Sequence, residues 1–316
     1  MNATGARAAR KVAVTRVDGG ERRPRERDVV ASEEPMEIRL VAGGGRPPAP
    51  DRQRRGAPPL PDTIPVAVTM RTPGDDFELA AGFLYSEGVV ARREEIASLR
   101  YCQDAPPEER HNIVTVHLRA GTLPPVERLE RHFTMTSACG VCGKAHLDAL
   151  DVRCVRPPTR GPRVPPAVLV TLPGKLREAQ TLFGRTGGLH AAGLFSAAGE
   201  LLAVREDVGR HNALDKLIGW ALLDGRLPLE RGVVCVSGRA SFELLQKTVT
   251  AGAPVLAAVS APSSLAVEVA ERFGVTLVGF LRGERFNVYS GAERVLGRAA
   301  GGRAAGAVGT RPLEGR

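Results

Sequence analysis

The spacing of apolar residues predicts a regular alternation of strands and helices in the second half of the chain. The pattern predicts helices at residues 173–183, 210–223, 242–251 and 265–273, and strands at residues 189–196, 200–205, 233–236, 255–259, 276–280 and 286–289. Elements that alternate at this pace form a sheet whose middle strands are parallel, with helices packed against it. Residues 161–290 are therefore expected to form an α/β core.

The first half of the chain has a weaker pattern. Strands are expected at residues 36–41, 65–70 and 113–118, together with a helix that Asp75 and Asp76 cap and that ends near Ser86. A stretch rich in proline, glycine and arginine interrupts this region near residues 43–64 and is expected to be an exposed insertion. Residues 34–125 are thus predicted to form a smaller α+β portion.

Both ends of the chain are predicted to be disordered tails, because residues 1–33 and 291–316 contain few large apolar side chains. The tails also account for most of the net charge of +9: residues 1–30 carry +4 and residues 291–316 carry +3. With only +2 left for the rest and aromatic residues at 4%, a nucleic-acid groove is not expected. No apolar stretch is long enough for a signal peptide or a membrane span, so a cytoplasmic protein without a membrane partner is expected.

A CxxC motif in the segment at residues 126–160 is the most reactive feature of the sequence. Cys139 and Cys142 are flanked by Gly140 and Gly143, and Lys144 follows. The glycines let the backbone bend toward a partner, and the lysine favours the thiolate, which is the nucleophilic form of cysteine. Such a thiolate can attack the outer sulfur of a donor persulfide, hold it and pass it on.

Two other interpretations of the cysteines stay open at this point. With His146 and Cys154 the spacing is C-x2-C-x3-H-x7-C, which is compatible with a structural zinc ion. A thioredoxin-type dithiol is less compatible, because that motif follows the first strand of a small domain rather than about 130 residues of preceding chain.

Polar loops are expected at the carboxyl ends of two strands. Ser237, Arg239 and Ser241 surround a strand end and a helix start, where hydroxyls, a guanidinium and free backbone N–H groups can bind a phosphate. The sequence Ser-Ala-Pro-Ser-Ser at residues 260–264 repeats this arrangement one strand later. Both loops are expected to lie at one crevice. Alternatively, Ser241 and Ser263 only cap helices.

A segment dense in ionisable groups, residues 206–216, supplies further candidates. Asp207, His211 and Asp215 are spaced to form one polar stripe, either as ligand contacts or as a solvated, charge-paired helix face. His190 follows two glycines and is a candidate ligand contact or a partly buried structural imidazole.

Five motifs in order resemble the formate dehydrogenase accessory sulfurtransferase family, FdhD/NarQ. They are T-S-x-C-G-V-C-G-K, T-G-G-x-H-A-A, E-D-V-G-R-H-N-A-x-D-K, S-x-R-A-S-x-E-x-x-Q-K and the segment at residues 260–268. The resemblance implies a cytidine-deaminase-like three-layer α/β sandwich that forms a homodimer. It also implies sulfur transfer from a cysteine desulfurase to the bis(molybdopterin guanine dinucleotide) molybdenum cofactor, which formate dehydrogenase then receives.

The resemblance also assigns roles to residues. It implies Cys139 as the persulfide carrier, Cys142 as the second cysteine of the loop, and a cofactor-binding stretch made of Phe280, Leu281, Arg282, Gly283, Glu284 and Arg285. Arginines pair well with phosphates, which suits the nucleotide arms of that cofactor.

Hydrolytic deamination is not expected. A zinc deaminase needs an H-x-E glutamate and a following PCxxC, whereas Ala191 and Ala192 follow His190 and the CxxC lies upstream. No protein-ligated metal is therefore expected. The alternative function from a different class is a non-catalytic cofactor chaperone whose CxxC is structural or bound to zinc.

Overall fold

The computed structural model describes residues 7–23, 25–43, 63–120 and 161–295. A six-stranded sheet forms the core of the second half, and a four-stranded sheet lies in the first half. The loop with Cys139 and Cys142, most of the insertion near residues 43–64 and the end of the chain after residue 295 lie outside the described residues. None of the helices within the described ranges is long and apolar enough to cross a membrane.

The six-stranded sheet has the parallel centre that the sequence predicts. Its strands are β9 (His190–Phe195), β10 (Leu201–Asp207), β11 (Val233–Val236), β12 (Val255–Ala258), β13 (Thr276–Arg282) and β14 (Arg285–Ser290). They lie in the order β10-β9-β11-β12-β13-β14. The pairs β11–β12 and β12–β13 are parallel, while β9, β10 and β14 pair antiparallel.

Helices cover both faces of this sheet because both faces are apolar. On one face lie α5 (Arg210–Leu223), α6 (Phe242–Thr250) and α7 (Ser264–Arg272), whose leucines, valines and alanines pack on alternate residues of the strands. On the other face lie α2 (Pro166–Leu169) and α3 (Leu172–Ala179). The predicted helix at 173–183 is wrong in extent: it is divided at Gln180, after which α4 (Thr181–Thr186) begins.

The four-stranded sheet and one helix form the N-terminal α+β portion. The strands β5 (Glu34–Gly43), β6 (Thr63–Arg71), β7 (Ile96–Tyr101) and β8 (Ile113–Ala120) lie in the order β6-β5-β8-β7. Helix α1 (Asp76–Ser86) packs its leucines and alanines on this sheet. Asp75 precedes the helix but makes no capping hydrogen bond with its side chain, so that part of the prediction is wrong.

Helices α1 and α5 cross at two glycines. A β-carbon on Gly82 would lie 1.9 Å from the carbonyl oxygen of Asp215, and one on Gly219 would lie 1.8 Å from that of Glu78. The two backbones can approach this closely only because neither position has a side chain. This crossing joins the N-terminal portion to the core.

The prediction of a disordered tail over residues 1–33 is wrong for residues 9–31. Strand β1 (Ala9–Val14) pairs antiparallel with β4 (Glu26–Ala31), and β2 (Val17–Asp18) pairs with β3 (Glu21–Arg22). Backbone pairing orders this ribbon despite its few large apolar residues. An ion pair between Arg7 and Glu34, 2.7 Å long, attaches the start of the ribbon to β5. The Asp-Gly-Gly sequence at residues 18–20 is a turn signal that indicates such a hairpin.

Candidate functional site

The predicted site residues that the structure describes lie along one edge of the six-stranded sheet, whereas Cys139 and Cys142 lie outside the described residues. Asp207, at the end of β10, pairs with His190 at the start of β9. The backbone N–H of Ser237 donates to the carbonyl of Ala191, and that of Ser260 donates to Gly238. The row ends where the N–H of Phe280 donates to the carbonyl of Ser260 at 3.1 Å. Antiparallel β9 and β10 bring their polar ends to the edge where the parallel strands β11, β12 and β13 end, which is where α/β sheets bind ligands.

The two serine-containing loops are neighbours, as the sequence predicts. The N–H of Ala240 donates to Ala261 at 3.2 Å, and the N–H of Ser263 donates to Ala240 at 3.0 Å. The hydroxyl of Ser263 accepts from the N–H of Ala266, so Ser263 is an ordinary helix cap. Ser241 also precedes a helix, but its side chain makes no capping bond.

Instead, Ser241 belongs to a cluster with His211 and Glu243. The Nε2 of His211 lies 2.7 Å from Oε2 of Glu243 and 3.2 Å from the hydroxyl oxygen of Ser241. The hydrogen bond with His211 lowers the pKa of Glu243. Because an ionised carboxylate only accepts, Nε2 carries the proton in this pair.

His190 lies beside positive charge. A β-carbon on Gly238 would lie only 3.4 Å from Nδ1 of His190, so the loop after β11 passes directly over this imidazole. Burial lowers the pKa of His190, and the charges of Arg210 and His211 lower it further. His190 is therefore neutral at physiological pH and offers one donor and one acceptor.

Arg210 was not predicted as a site residue, although it lies within the E-D-V-G-R-H-N motif. Its Nε is buried and has no hydrogen-bond partner among the residues that the structure describes. A buried guanidinium nitrogen without an acceptor is uncommon and indicates a place where an anionic oxygen can bind. The adjacent positions of an arginine and a histidine at the start of α5 are the sequence signal for it.

Asp207 lies at the same edge of the sheet, but its carboxylate oxygens already have an ion-pair partner and hydrogen-bond donors within the protein. It lies 2.7 Å from Nζ of Lys216 and accepts from the N–H groups of Thr72 and Gly209 and from Asn212. Both charged side chains are buried, with exposed fractions of 0% and 1%. Since Lys216 also donates to the carbonyl of Thr72 at 2.9 Å, the pair fastens the segment after β6 to the core.

The predicted polar stripe of Asp207, His211 and Asp215 is therefore wrong. Helix α5 begins at Arg210, after Asp207, and Asp215 is buried. Asp215 accepts two hydrogen bonds from Lys247, each 2.9 Å long, and one from Ser86. Helix α5 is buried on nearly all sides because α1 packs on the face opposite the large sheet, so its polar residues form internal ion pairs.

The stretch Phe280–Arg285 lies at the end of β13 and in the turn to β14. Phe280, Arg282, Gly283, Glu284 and Arg285 are exposed, whereas Leu281 is buried against the core. The Nε of Arg282 donates to the carbonyl of Val259 at 3.2 Å, which fixes this side chain beside the neighbouring loop. Arg239 is exposed in the loop after β11.

The two cysteines that lie within the described residues do not contribute nucleophiles to this edge. Cys235 is fully buried in β11, and burial raises its pKa to about 12. Cys102 is partly buried and follows β7 in the N-terminal portion. Within the described part of the chain, no group of three or more histidine, cysteine, aspartate and glutamate residues is arranged to hold a metal ion.

Comparison with known proteins agrees with the motifs. The sequence model of the FdhD/NarQ family matches residues 61–296. The chain belongs to this family. It is 53% identical over 280 residues to the sulfur carrier protein FdhD of Streptomyces coelicolor, an alignment that covers 87% of this chain and 92% of that protein.

More distant relatives extend the same match. The chain is 42% identical over 272 residues to the sulfur carrier protein FdhD of Sulfurisphaera tokodaii, covering 86% of this chain and 93% of the relative. The crystal structure of a protein described as a formate dehydrogenase accessory protein, from Desulfotalea psychrophila, superposes with a TM-score of 0.65. That match has 27% sequence identity and covers 92% of this chain and all of the other.

Proposed function

We propose that this chain is a sulfur carrier that takes sulfane sulfur from a cysteine desulfurase and transfers it to the bis(molybdopterin guanine dinucleotide) molybdenum cofactor for formate dehydrogenase. The proposal combines the CxxC motif with the sulfur carrier relatives. It describes a cytoplasmic homodimeric sulfurtransferase with a cytidine-deaminase-like fold, as the resemblance implies.

Cys139 is the sulfur acceptor in this scheme. Its thiolate attacks the outer sulfur of the desulfurase persulfide, a new S–S bond forms on Cys139, and the desulfurase cysteine leaves as a thiolate. No external oxidant is needed, because the sulfane sulfur keeps its oxidation state. Release then follows one of two routes. In the first, the acceptor attacks the outer sulfur, the S–S bond breaks and Cys139 leaves as a thiolate. In the second, Cys142 attacks the sulfur of Cys139, a disulfide forms and hydrosulfide leaves.

The observation that supports cofactor binding is the row of polar groups along one sheet edge. It contains the buried Nε of Arg210, which has no hydrogen-bond partner within the described ranges. A molybdopterin dinucleotide has phosphates on each arm, and guanidinium groups are the side chains best shaped for phosphate oxygens. In our proposal Arg210 and the anchored Arg282 bind phosphates, while Arg239 and Arg285 at the exposed margin attract the anion.

The hydroxyls and imidazoles of the same edge give the ligand its orientation in this proposal. His190 is neutral, so it can donate to or accept from a heterocycle without opposing a nearby cation. Ser241 and His211 present a hydroxyl and Nδ1, because Glu243 already holds the other ring nitrogen of His211. In this proposal the sheet edge binds and orients the cofactor, and the cysteine loop supplies the sulfur.

Persulfide mapping tests the proposal. The protein is incubated with a cysteine desulfurase and cysteine, and the Cys139 peptide is expected to gain about 32 Da for each added sulfur. Cys142→Ala should still load Cys139, whereas Cys139→Ala should not load at that position. Failure of the wild-type Cys139 peptide to gain mass contradicts the proposal. Stoichiometric zinc bound by unreactive thiols would instead favour the cofactor chaperone.

A further inference from the structure

The N-terminal ribbon, formed by strands β1–β4, has almost no buried surface. Every described residue from position 15 to position 25 is exposed, and none of the strand residues in the ribbon is buried. A two-stranded ribbon without a packed apolar face is at most marginally stable in water. A further contact along the ribbon would therefore stabilise it.

One edge of the ribbon is open for such a contact. Within the described ranges, β1 pairs only with β4, and helix α4 lies against β4. The other edge of β1 thus presents unpaired backbone N–H and C=O groups. Such an edge is a template on which an extended segment of another chain can pair.

Cations and carboxylates of the paired strands lie on opposite faces of the ribbon. Lys11 is opposite Val29 and Ala13 is opposite Arg27, so Lys11 and Arg27 project from the same face. Glu26 and Asp28 are the neighbours of Arg27 along β4, so they project from the other face. The first face, here called the basic face, consists of Ala9, Lys11, Ala13, Arg27, Val29 and Ala31.

The two cations of the basic face are not used within the ribbon. Arg16 pairs with Glu26 at 3.2 Å and Arg23 pairs with Asp18 at 2.8 Å. Lys11 and Arg27 are exposed and form no ion pair with a described residue. Like charges on diagonal positions of paired strands repel each other. Lys11 and Arg27 therefore do not stabilise the ribbon, and they remain available to an anionic partner.

The chemistry of the ribbon favours an acidic protein segment over other anionic partners. Residues 7–31 contain no aromatic side chain that could stack on nucleic-acid bases. The tip, residues 18–21 with the sequence Asp-Gly-Gly-Glu, has no apolar side chain that could enter a lipid bilayer. A second copy of this chain offers no excess of acid, because residues 31–290 carry a net charge of +2.

We infer that the basic face and the open edge of β1 form a docking surface for an acidic, extended segment of another protein. The segment adds to the ribbon as a third strand, with main-chain hydrogen bonds to β1 and with carboxylates beside Lys11 and Arg27. The inference uses only the ribbon, so it does not depend on the proposed sulfur transfer.

Fluorescence anisotropy with a labelled peptide of the sequence Thr-Glu-Val-Glu-Val-Glu-Val-Thr tests the charge contacts. The full-length protein should bind this peptide and should bind the version with glutamine in place of glutamate about fivefold more weakly. The variant Lys11→Gln with Arg27→Gln should also lose about fivefold in affinity for the acidic peptide, as expected for the loss of two cross-strand charge pairs. The matched control is Arg100→Gln with Arg231→Gln, which removes the same charge at exposed positions outside the ribbon and should bind like the wild type.

Hydrogen exchange on the wild-type protein tests the strand pairing. Binding of the acidic peptide should protect backbone amides of β1, Ala9–Val14, that do not bond to β4. A peptide with N-methyl groups on alternate residues keeps its charges but cannot pair, and it should bind at least about fivefold more weakly. Both double variants should keep the melting temperature within about 2 °C of the wild type, as exposed substitutions usually do.

Several results would overturn the inference. They are wild-type protein that does not bind the acidic peptide, a Lys11→Gln with Arg27→Gln variant that binds it like the wild type, and peptide binding without protection of β1. A fall of more than about 5 °C in the melting temperature of that variant would show that the two cations serve the fold instead. Tighter ribbon-dependent binding to a short DNA duplex or to phosphatidylglycerol vesicles than to the peptide would assign the basic face to nucleic acid or to a membrane.

Discussion

The crossing of α1 and α5 gives a quantitative prediction for Gly82→Ala. The added β-carbon would lie 1.9 Å from the carbonyl oxygen of Asp215, whereas non-bonded heavy atoms need roughly 3.5 Å. The helices must therefore separate by more than about 1 Å along their shared contact. Overpacking of this kind costs about 1–3 kcal/mol, and better helix propensity returns up to about 1 kcal/mol. Because the obstacle is backbone rather than a flexible side chain, we expect a net loss near the upper end, about 2 kcal/mol.

Thermal unfolding followed by circular dichroism measures this loss. A cost of about 2 kcal/mol corresponds to a decrease of about 4–8 °C in melting temperature for an ordered region of this size. Gly174→Ala is the matched control, since Gly174 lies in helix α3 and nothing lies within 4 Å of its β-carbon position. The control should be neutral or slightly stabilising.

The double variant Gly82→Ala with Gly219→Ala adds a second test. Both substitutions widen the same crossing, so their combined cost should be smaller than the sum of the single costs. Gly82→Ala with the same stability as its Gly174→Ala control would refute the close crossing. Full additivity would show that the two glycines act at separate contacts.

Three further predictions concern a buried ion pair and two side chains whose pKa is shifted by the folded structure. Asp207→Asn leaves the buried Lys216 without its carboxylate and should cost about 3–5 kcal/mol in urea unfolding; a loss below about 1 kcal/mol would contradict the ion pair's structural role. His190 should titrate below the value of about 6.5 for a free imidazole in NMR spectra, and Arg210→Gln should raise its midpoint. Because the folded protein disfavours the imidazolium form of His190, the stability that the neutral form provides is fully present above pH of about 6.5 and is lost as the pH falls below it. An NMR midpoint for His190 above about 6.5 would contradict this prediction. Cys235, with its pKa raised to about 12, should resist iodoacetamide at pH of about 8 in the native protein, and rapid labelling would contradict its burial.

The α/β core could be predicted because its signals are local. Helix α5 spans Arg210–Leu223 and strand β11 spans Val233–Val236, as the spacing of their apolar residues predicts. Strand β7, Ile96–Tyr101, was missed because it is only six residues long and directly follows the charged sequence Arg-Arg-Glu-Glu at residues 92–95. The N-terminal ribbon was missed because its composition indicates disorder, although its Asp-Gly-Gly sequence is a hairpin signal.

The site was predicted better in position than in detail. His190, Ser237 and Phe280 were expected from motifs and strand ends, and the structure brings them to one sheet edge. Asp207 and Asp215 could not be distinguished from exposed ligands, because their partners Thr72 and Ser86 come from a distant part of the chain. Long-range packing of this kind leaves no local signal in the sequence.

The conformation of Phe280 also lies beyond sequence reasoning. A left-handed residue is expected at glycine or asparagine, and the sequence offers Gly279 and Gly283 nearby. The register shift between β13 and β14 falls between Gly279 and Arg282, and Phe280 adopts the left-handed conformation there. Only the assembled sheet determines which residue adopts the strained conformation.

A transfer experiment with labelled sulfur tests the sulfur-carrier proposal most directly. The protein is loaded by a cysteine desulfurase with ³⁵S-cysteine, separated from the desulfurase, and mixed with bis(molybdopterin guanine dinucleotide) cofactor that lacks the transferred sulfur. We predict label on the Cys139 peptide first and on the cofactor afterwards, with neither in Cys139→Ala. Label that reaches the cofactor equally well in Cys139→Ala, or that never leaves the loaded wild-type protein, would contradict sulfur transfer through this residue.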